Sequence, residues 1–200
     1  MNADLSKEEH PNWYLDVSPM HFLILGSFPP HESKWIYPFF YPTAHNRFWK
    51  ILAALAGESL KWTKVDKTKA VQERYEIMKK LRVGVQNLGL EIERKNKSAL
   101  DTHITIKKYQ DIVSITETHP ELKRILLTGY SAANSTAKSF IKYLDQKKIE
   151  RSAIDQYKPE TFFKIYAKER AIDCVILNST STASKIKYDV LLDQFRRNLK

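Results

Sequence analysis

The sequence predicts an α/β fold with a central, mostly parallel sheet of about four strands, and three observations carry that reading. Short apolar runs alternate with amphipathic, helix-period stretches along the 200 residues, as they do in chains of βαβ units. The apolar runs are continuous rather than alternating, so both faces of each strand are expected to be buried beneath helices. Chemically distinctive residues gather at the carboxyl ends of these runs, where open parallel sheets hold their ligands.

Residues 1–20 begin acidic and polar, without the apolar stretch of a secretion signal. They are expected to form a loosely packed N-terminal arm ahead of a single domain over residues 21–200. The first strand is His21–Gly26, stopped by Pro29 and Pro30. An aromatic loop from Trp35 to Tyr41 leads into a helix carrying Phe48, Trp49, Ile51, Leu52, Leu55 and Ala56, with Gly57 as its stop signal. Thr68 is the expected cap of a second helix with the stripe Val71, Tyr75, Met78 and Leu81. Val83–Asn87 is the second strand, and residues 107–118 are predicted helical with Tyr109, Ile112 and Ile115 inward. Ile125–Gly129 forms the third strand. Ala133, Ala137, Phe140 and Leu144, spaced by four, three and four, mark the next helix. Residues 150–170 fit either a helix or a hairpin. Asp173–Asn178 is the fourth strand, followed by the hydroxyl-rich loop Ser179–Ser184 and a last helix from about Ile186 through Phe195.

Composition narrows the classes of function. Hydrophobic residues at 42% and charged residues at 28% suffice for a sizeable core. The longest candidate membrane segment, Phe48–Ala56, is broken by Lys50 and falls far short of the roughly 20 apolar residues a bilayer requires. One cysteine, Cys174, excludes an internal disulfide and a four-cysteine metal site, which suits a reduced, cytoplasmic setting. Lys and Arg number 33 against 23 Asp and Glu, a net charge of +10. This favours a polyanionic partner such as nucleic acid, although a generically basic surface is the alternative. The six scattered histidines argue against a metal site, and five glycines in the whole chain argue against a glycine-rich phosphate cradle. There is no Walker loop, G-x-S-x-G elbow, H-E-x-x-H or dinucleotide fingerprint.

What stands out is Gly26-Ser27-Phe28-Pro29 at a strand end, followed by Phe39-Phe40-Tyr41 and by Asn46-Arg47-Phe48-Trp49 at a helix start. A glycine-containing second strand, the segment Ser98-Ala99-Leu100-Asp101 and the loop Ser179-Thr180-Ser181 follow in order. This combination, over roughly residues 21–184, resembles the uracil-DNA glycosylase superfamily, closest to its hypoxanthine-DNA glycosylase branch. The resemblance implies a three-layer α/β/α sandwich and a monofunctional DNA repair enzyme. Such an enzyme flips a deaminated base, with uracil favoured and hypoxanthine next, and hydrolyses its N-glycosidic bond without a cofactor. It also implies action as a monomer on damaged DNA.

Carried over residue by residue, the family's first motif falls on Gly26, Ser27, Phe28 and Pro29. Phe28 stands where many relatives have a water-orienting Asp or Asn, as it does in the hypoxanthine branch. The Asn of N-x-F-W maps to Asn46, the expected catalytic residue, whose carbonyl can orient water and whose amide can donate to a leaving base. Asn is also a preferred helix cap, and the two roles are compatible. Asn87 falls where relatives read the flipped base; a turn residue at a strand end is the plainer alternative. The hypoxanthine branch usually has Trp-Asp here, and Gln86-Asn87 moves the expected substrate toward uracil. Phe28, Phe40 and Tyr41 would wall the base, or pack the core. Ser179, Thr180, Ser181 and Thr182 resemble the loop that presses the minor groove and grips phosphates, with Lys185 supplying charge and His45 at the rim. The catalytic His that some branches carry in this region is replaced by Leu177. Two rival functions follow: a non-catalytic nucleic-acid binder of the same fold, and a hydrolase of free nucleosides or nucleotides.

Overall fold

The computed structural model of the chain describes residues 5–96 and 100–200, so Ser98 and Ala99 of the S-x-L-D segment lie outside the described residues, as does the Asp101 side chain. Strands are β1 (Leu5–Glu9), β2 (Phe22–Gly26), β3 (Val83–Asn87), β4 (Gly89–Lys95), β5 (Ile104–Tyr109), β6 (Arg124–Thr128), β7 (Phe162–Ala167) and β8 (Arg170–Leu177). Helices are α1 (Phe48–Ala56), α2 (Lys67–Leu81), α3 (Ile112–Thr118), α4 (Thr136–Lys147) and α5 (Tyr188–Asn198).

The main sheet has five strands in the order β3-β2-β6-β8-β7. β3, β2, β6 and β8 run parallel, and β7 closes one edge antiparallel to β8. Alternate residues of the parallel strands feed two separate cores. Phe22, Ile24, Leu126, Val175 and Leu177 pack with Phe48, Leu52, Met78 and Phe195 from α1, α2 and α5. Leu23, Leu25, Ile125, Leu127, Cys174 and Ile176 pack with Ile112, Phe140 and Leu144 from α3 and α4. The expected three-layer α/β/α sandwich therefore forms, and burial on both faces is why the strands read as unbroken apolar runs. Met20 fits under β3 because position 84 has no side chain: a Cβ there would lie 2.3 Å from Met20 Cε.

The structure corrects the expected element plan in four places. First, residues 5–20 are not a loose arm. β1 pairs antiparallel with β4, and Trp13, Val17 and Met20 are buried. Second, β1, β4 and β5 form a separate three-stranded antiparallel sheet. Residues 107–109 belong to its β5 rather than to a helix, because Ile104 and Ile106 turn to one face and pack with Phe28 and Ile92. Third, the cap of α2 is Asp66, whose carboxylate accepts from the Lys69 amide, rather than Thr68. Fourth, of the two options for residues 150–170, the strand pairing of a hairpin is adopted: β7 pairs with β8 and Arg151 bridges to Ile165.

The small sheet is pinned to the end of β2 by Arg94, which is fully buried. Its guanidinium donates to both Glu8 carboxylate oxygens at 2.8 and 3.0 Å and to the Pro29 carbonyl at 2.6 Å. That ion pair fixes the loop Gly26–Pro30 from behind.

Candidate functional site

A cleft of about 330 Å³ opens at the carboxyl ends of β2, β3, β6 and β8. Gly26, Ser27, Phe28 and Pro29 form one wall, Tyr41 and Asn46 another, and Asn87, Thr128 and the loop Ser179–Ser181 complete it. Among the described residues, no charged side chain lines the cleft. Hydroxyls, two amides and aromatic rings do, a surface able to hydrogen-bond a neutral base edge and stack its face.

Asn87 ends β3 in register with Gly26 of β2. A Cβ at position 26 would lie 2.6 Å from Asn87 Nδ2 and 3.1 Å from the Tyr41 hydroxyl, so glycine is what allows the amide to cross the strand end. Asn87 Oδ1 lies 3.1 Å from Nε2 of His10, which is buried in the N-terminal segment. Burial lowers the His10 pKa below its ordinary value, against the opposing effect of the Asn87 contact. The imidazole is thus neutral near pH 7.

Tyr41 adopts a left-handed backbone, φ 50°, and stacks on Phe48 with ring centroids 3.8 Å apart. Its hydroxyl is 2.9 Å from Thr128 Oγ1, which itself donates to the Leu25 carbonyl at 2.9 Å. Since that carbonyl only accepts, Thr128 spends its proton there and Tyr41 donates to Thr128.

Asn46 Oδ1 accepts from the Phe48 amide at 2.9 Å and from the Thr180 hydroxyl at 2.9 Å. The N-cap of α1 is Arg47, without a side-chain bond, rather than Asn46; from one residue further out the Asn46 carbonyl still satisfies the first amide of α1 and ties the helix to the loop after β8. With both carbonyl lone pairs engaged, Asn46 has only Nδ2 left to offer a ligand; its carbonyl is not available to orient water.

Arg47 holds the same loop more firmly. Its guanidinium donates to the Thr180 carbonyl at 3.2 Å, the Ser181 carbonyl at 2.7 Å, Ser184 Oγ at 3.0 Å and the Ile186 carbonyl. Nothing in the local pattern marked Arg47 beyond its place in N-x-F-W. Thr128 and Ser135 are also cleft residues that sequence reasoning passed over. Thr128 sat at a strand end, which was the available signal.

Ten expected site residues thus meet in one cleft: Gly26, Ser27, Phe28, Pro29, Tyr41, Asn46, Asn87, Ser179, Thr180 and Ser181. Four do not. Phe40 is fully buried, edge-on to Phe39 and Trp13, so it packs the core and cannot stack on a ligand. Thr182 and Lys185 are exposed and lie outside the cleft, in the turn that closes the loop. Exposed His45 instead lines a neighbouring cleft of about 410 Å³ with Lys50, Lys61, Lys64 and Arg74. Thr43 and Asn46 line both clefts, and no carboxylate lines the second among the described residues.

No protein-family model matches the chain, and no curated protein matches it. One solved structure does, and what it shares with this chain is the α/β fold. The likeness is to the solution NMR structure of a candidate uracil DNA glycosylase from Methanosarcina acetivorans, with a TM-score of 0.57 and 19% identity over 90% of this chain and 89% of that one.

Proposed function

We propose that this protein is a monofunctional DNA glycosylase that takes a deaminated base, uracil before hypoxanthine, into the cleft between β2, β3 and the Ser179–Ser181 loop. The observation that carries this reading is the convergence of Gly26–Pro29, Tyr41, Asn46, Asn87 and Ser179–Ser181 on one neutral cleft. These segments are far apart in sequence, and they meet at the ligand-binding edge of a fold shared with a candidate uracil DNA glycosylase.

In this reading the flipped base lies between Phe28 and Tyr41 with its edge against Asn87. The bond from C1′ to the base nitrogen breaks and its electron pair leaves with the base. Water adds to C1′ and releases a proton, and the base is ultimately protonated. Asn46 contributes through Nδ2, donating to charge that builds on the leaving base, a role worth about 10²–10³ in rate for one such donor. No carboxylate in the described lining deprotonates the water. The reaction then relies on an oxocarbenium-like sugar electrophilic enough for neutral water. The basic cleft beside Asn46, with Lys50, Lys61 and Lys64, suits the flanking DNA backbone.

Duplexes end-labelled on one strand and carrying a single uracil, hypoxanthine or xanthine test this by alkali-induced nicking. Nicking at uracil, and none before alkali treatment, is the expected result. The engagement of Asn46 Oδ1 by the Phe48 amide and the Thr180 hydroxyl favours one second reading, a nucleic-acid binder of this fold without catalysis. Salt-sensitive binding to duplex DNA with no nicking of any substrate would select it.

A further inference from the structure

We propose that His10 is a positioning residue: it turns the Asn87 amide so that Nδ2 faces the cleft, which makes the site accept a base carbonyl and reject a base amino group. The selectivity rests on the glycosylase reading above; the orientation of the amide does not.

His10 sits just past the end of β1, its amide donating to the Leu90 carbonyl of β4 at 2.8 Å. Its ring is 5% exposed and enclosed by Trp13, Phe28 and Phe40, with centroids 5.8, 5.7 and 5.9 Å away. Of its two ring nitrogens, Nε2 meets Asn87 Oδ1 at 3.1 Å, while Nδ1 is buried without a partner. A neutral imidazole carries one proton, and two arrangements are possible. With the proton on Nε2, it is donated to Asn87 Oδ1 and only a lone pair faces the aromatic walls. With the proton on Nδ1, a buried N–H is left without an acceptor, and Nε2 could only accept, forcing the Asn87 amide to turn round. Leaving a buried donor unpaired is the costlier choice. In the first arrangement Asn87 Nδ2 lies on the Gly26 side, 2.6 Å from where a Gly26 Cβ would stand, and the Tyr41 hydroxyl is 3.1 Å from that same point.

The consequence is chemical. An outward Nδ2 is a donor, complementary to the carbonyl of uracil or hypoxanthine. The amino group that cytosine or adenine carries at that position would meet donor with donor. A site built on fixed polar groups discriminates by the partner left unpaired. Freed from His10, the amide can rotate and present Oδ1 instead, so selectivity falls together with rate.

Two measurements test this. In uniformly ¹⁵N-labelled protein, the His10 ring nitrogens report the tautomer without any need for activity. The protein is expected to hold the Nε2–H form near pH 7, and an Nδ1–H form would overturn the proposal. The second compares excision from uracil and cytosine duplexes by wild type, His10→Leu and His10→Gln. Glutamine can place an N–H where Nε2 lies. His10→Leu is expected to lower uracil excision at least tenfold and to shrink the uracil-to-cytosine rate ratio at least tenfold, with His10→Gln restoring most of both. An unchanged ratio, or a glutamine variant no better than leucine, would mean that His10 only packs the wall and would refute the proposal. A wild type that holds the Nε2–H tautomer but excises no base would instead refute the glycosylase reading and the selectivity with it.

Discussion

Replacing Arg47 with methionine removes the guanidinium that joins the start of α1 to the loop after β8 while keeping most of the aliphatic stem. Four acceptors lose a donor: the carbonyls of Thr180, Ser181 and Ile186, and Ser184 Oγ. Thr180 keeps one bond, because its carbonyl also receives the Arg47 backbone amide at 3.2 Å. Ser184 Oγ keeps its bonds to the Ser179 and Ser181 carbonyls. The Ser181 carbonyl likewise keeps the Ser184 hydroxyl at 2.7 Å and the Ser184 amide at 3.1 Å, so the loss falls mainly on the Ile186 carbonyl. Ile186 is partly exposed, and water can replace the donor. Hydrogen bonds from a charged donor contribute about 1.5–3 kcal/mol each; one acceptor left short and three weakened, discounted for solvent access, give a destabilisation of about 1–2 kcal/mol. Urea titration reads this directly as a lower midpoint at unchanged slope, a shift of about 0.5–1 M at an m-value of about 2 kcal/mol/M. The variant should also lose more excision activity than its folded fraction accounts for, since the Thr180 hydroxyl that engages Asn46 moves with the loop. A change under about 0.5 kcal/mol, or activity that tracks the folded fraction, would refute this view of the loop as clamped machinery.

Three further outcomes follow from the geometry. Gly26→Ala places a methyl group 2.6 Å from Asn87 Nδ2. It should cut excision at least tenfold while thermal unfolding shifts by only a few degrees, and retention of full activity would contradict the site. Phe40→Ala should cost about 3–5 kcal/mol by opening a core cavity; a stable variant weakened only in base binding would return Phe40 to the stacking role. The depressed His10 pKa makes the unfolded chain bind the proton first as pH falls. Its contribution is therefore fully present above about pH 6.5 and is lost as pH drops toward the lower folded value. The stability of wild type relative to His10→Gln should fall between pH 7 and pH 5, and parallel curves from the two proteins would exclude it.

The parts of this structure that were legible in the sequence are those set by local pattern. β2, β6 and β8 carry continuous apolar runs because each is buried on both faces, and that signal needs no partner to be read. The cleft was legible for the same reason, since strand ends locate it. The small sheet was not. β1 is LSKEE, polar and half exposed, and its anchor Arg94 finds Glu8 86 residues away. In β5 the Ile104/Ile106 alternation competed with a helix-like spacing of Tyr109 and Ile112; the strand ends at Tyr109 and the Asp111 side chain, accepting from the Ser114 amide, starts the helix. His10 and Arg47 act through partners 77 and more than 130 residues distant. Such contacts exist only once the fold has formed. Phe40 shows the converse, since an aromatic pair reads the same whether it walls a cleft or fills a core.

In the proposed reaction the cleft itself excises the base, and single-turnover excision of uracil from a duplex by wild type, Asn46→Ala and Asn87→Ala, measured beside duplex affinity, tests this. Rates are expected to fall about 10²–10³-fold for Asn46→Ala and at least tenfold for Asn87→Ala, with duplex affinity changed by no more than a few-fold. Undiminished rates in both variants would contradict it.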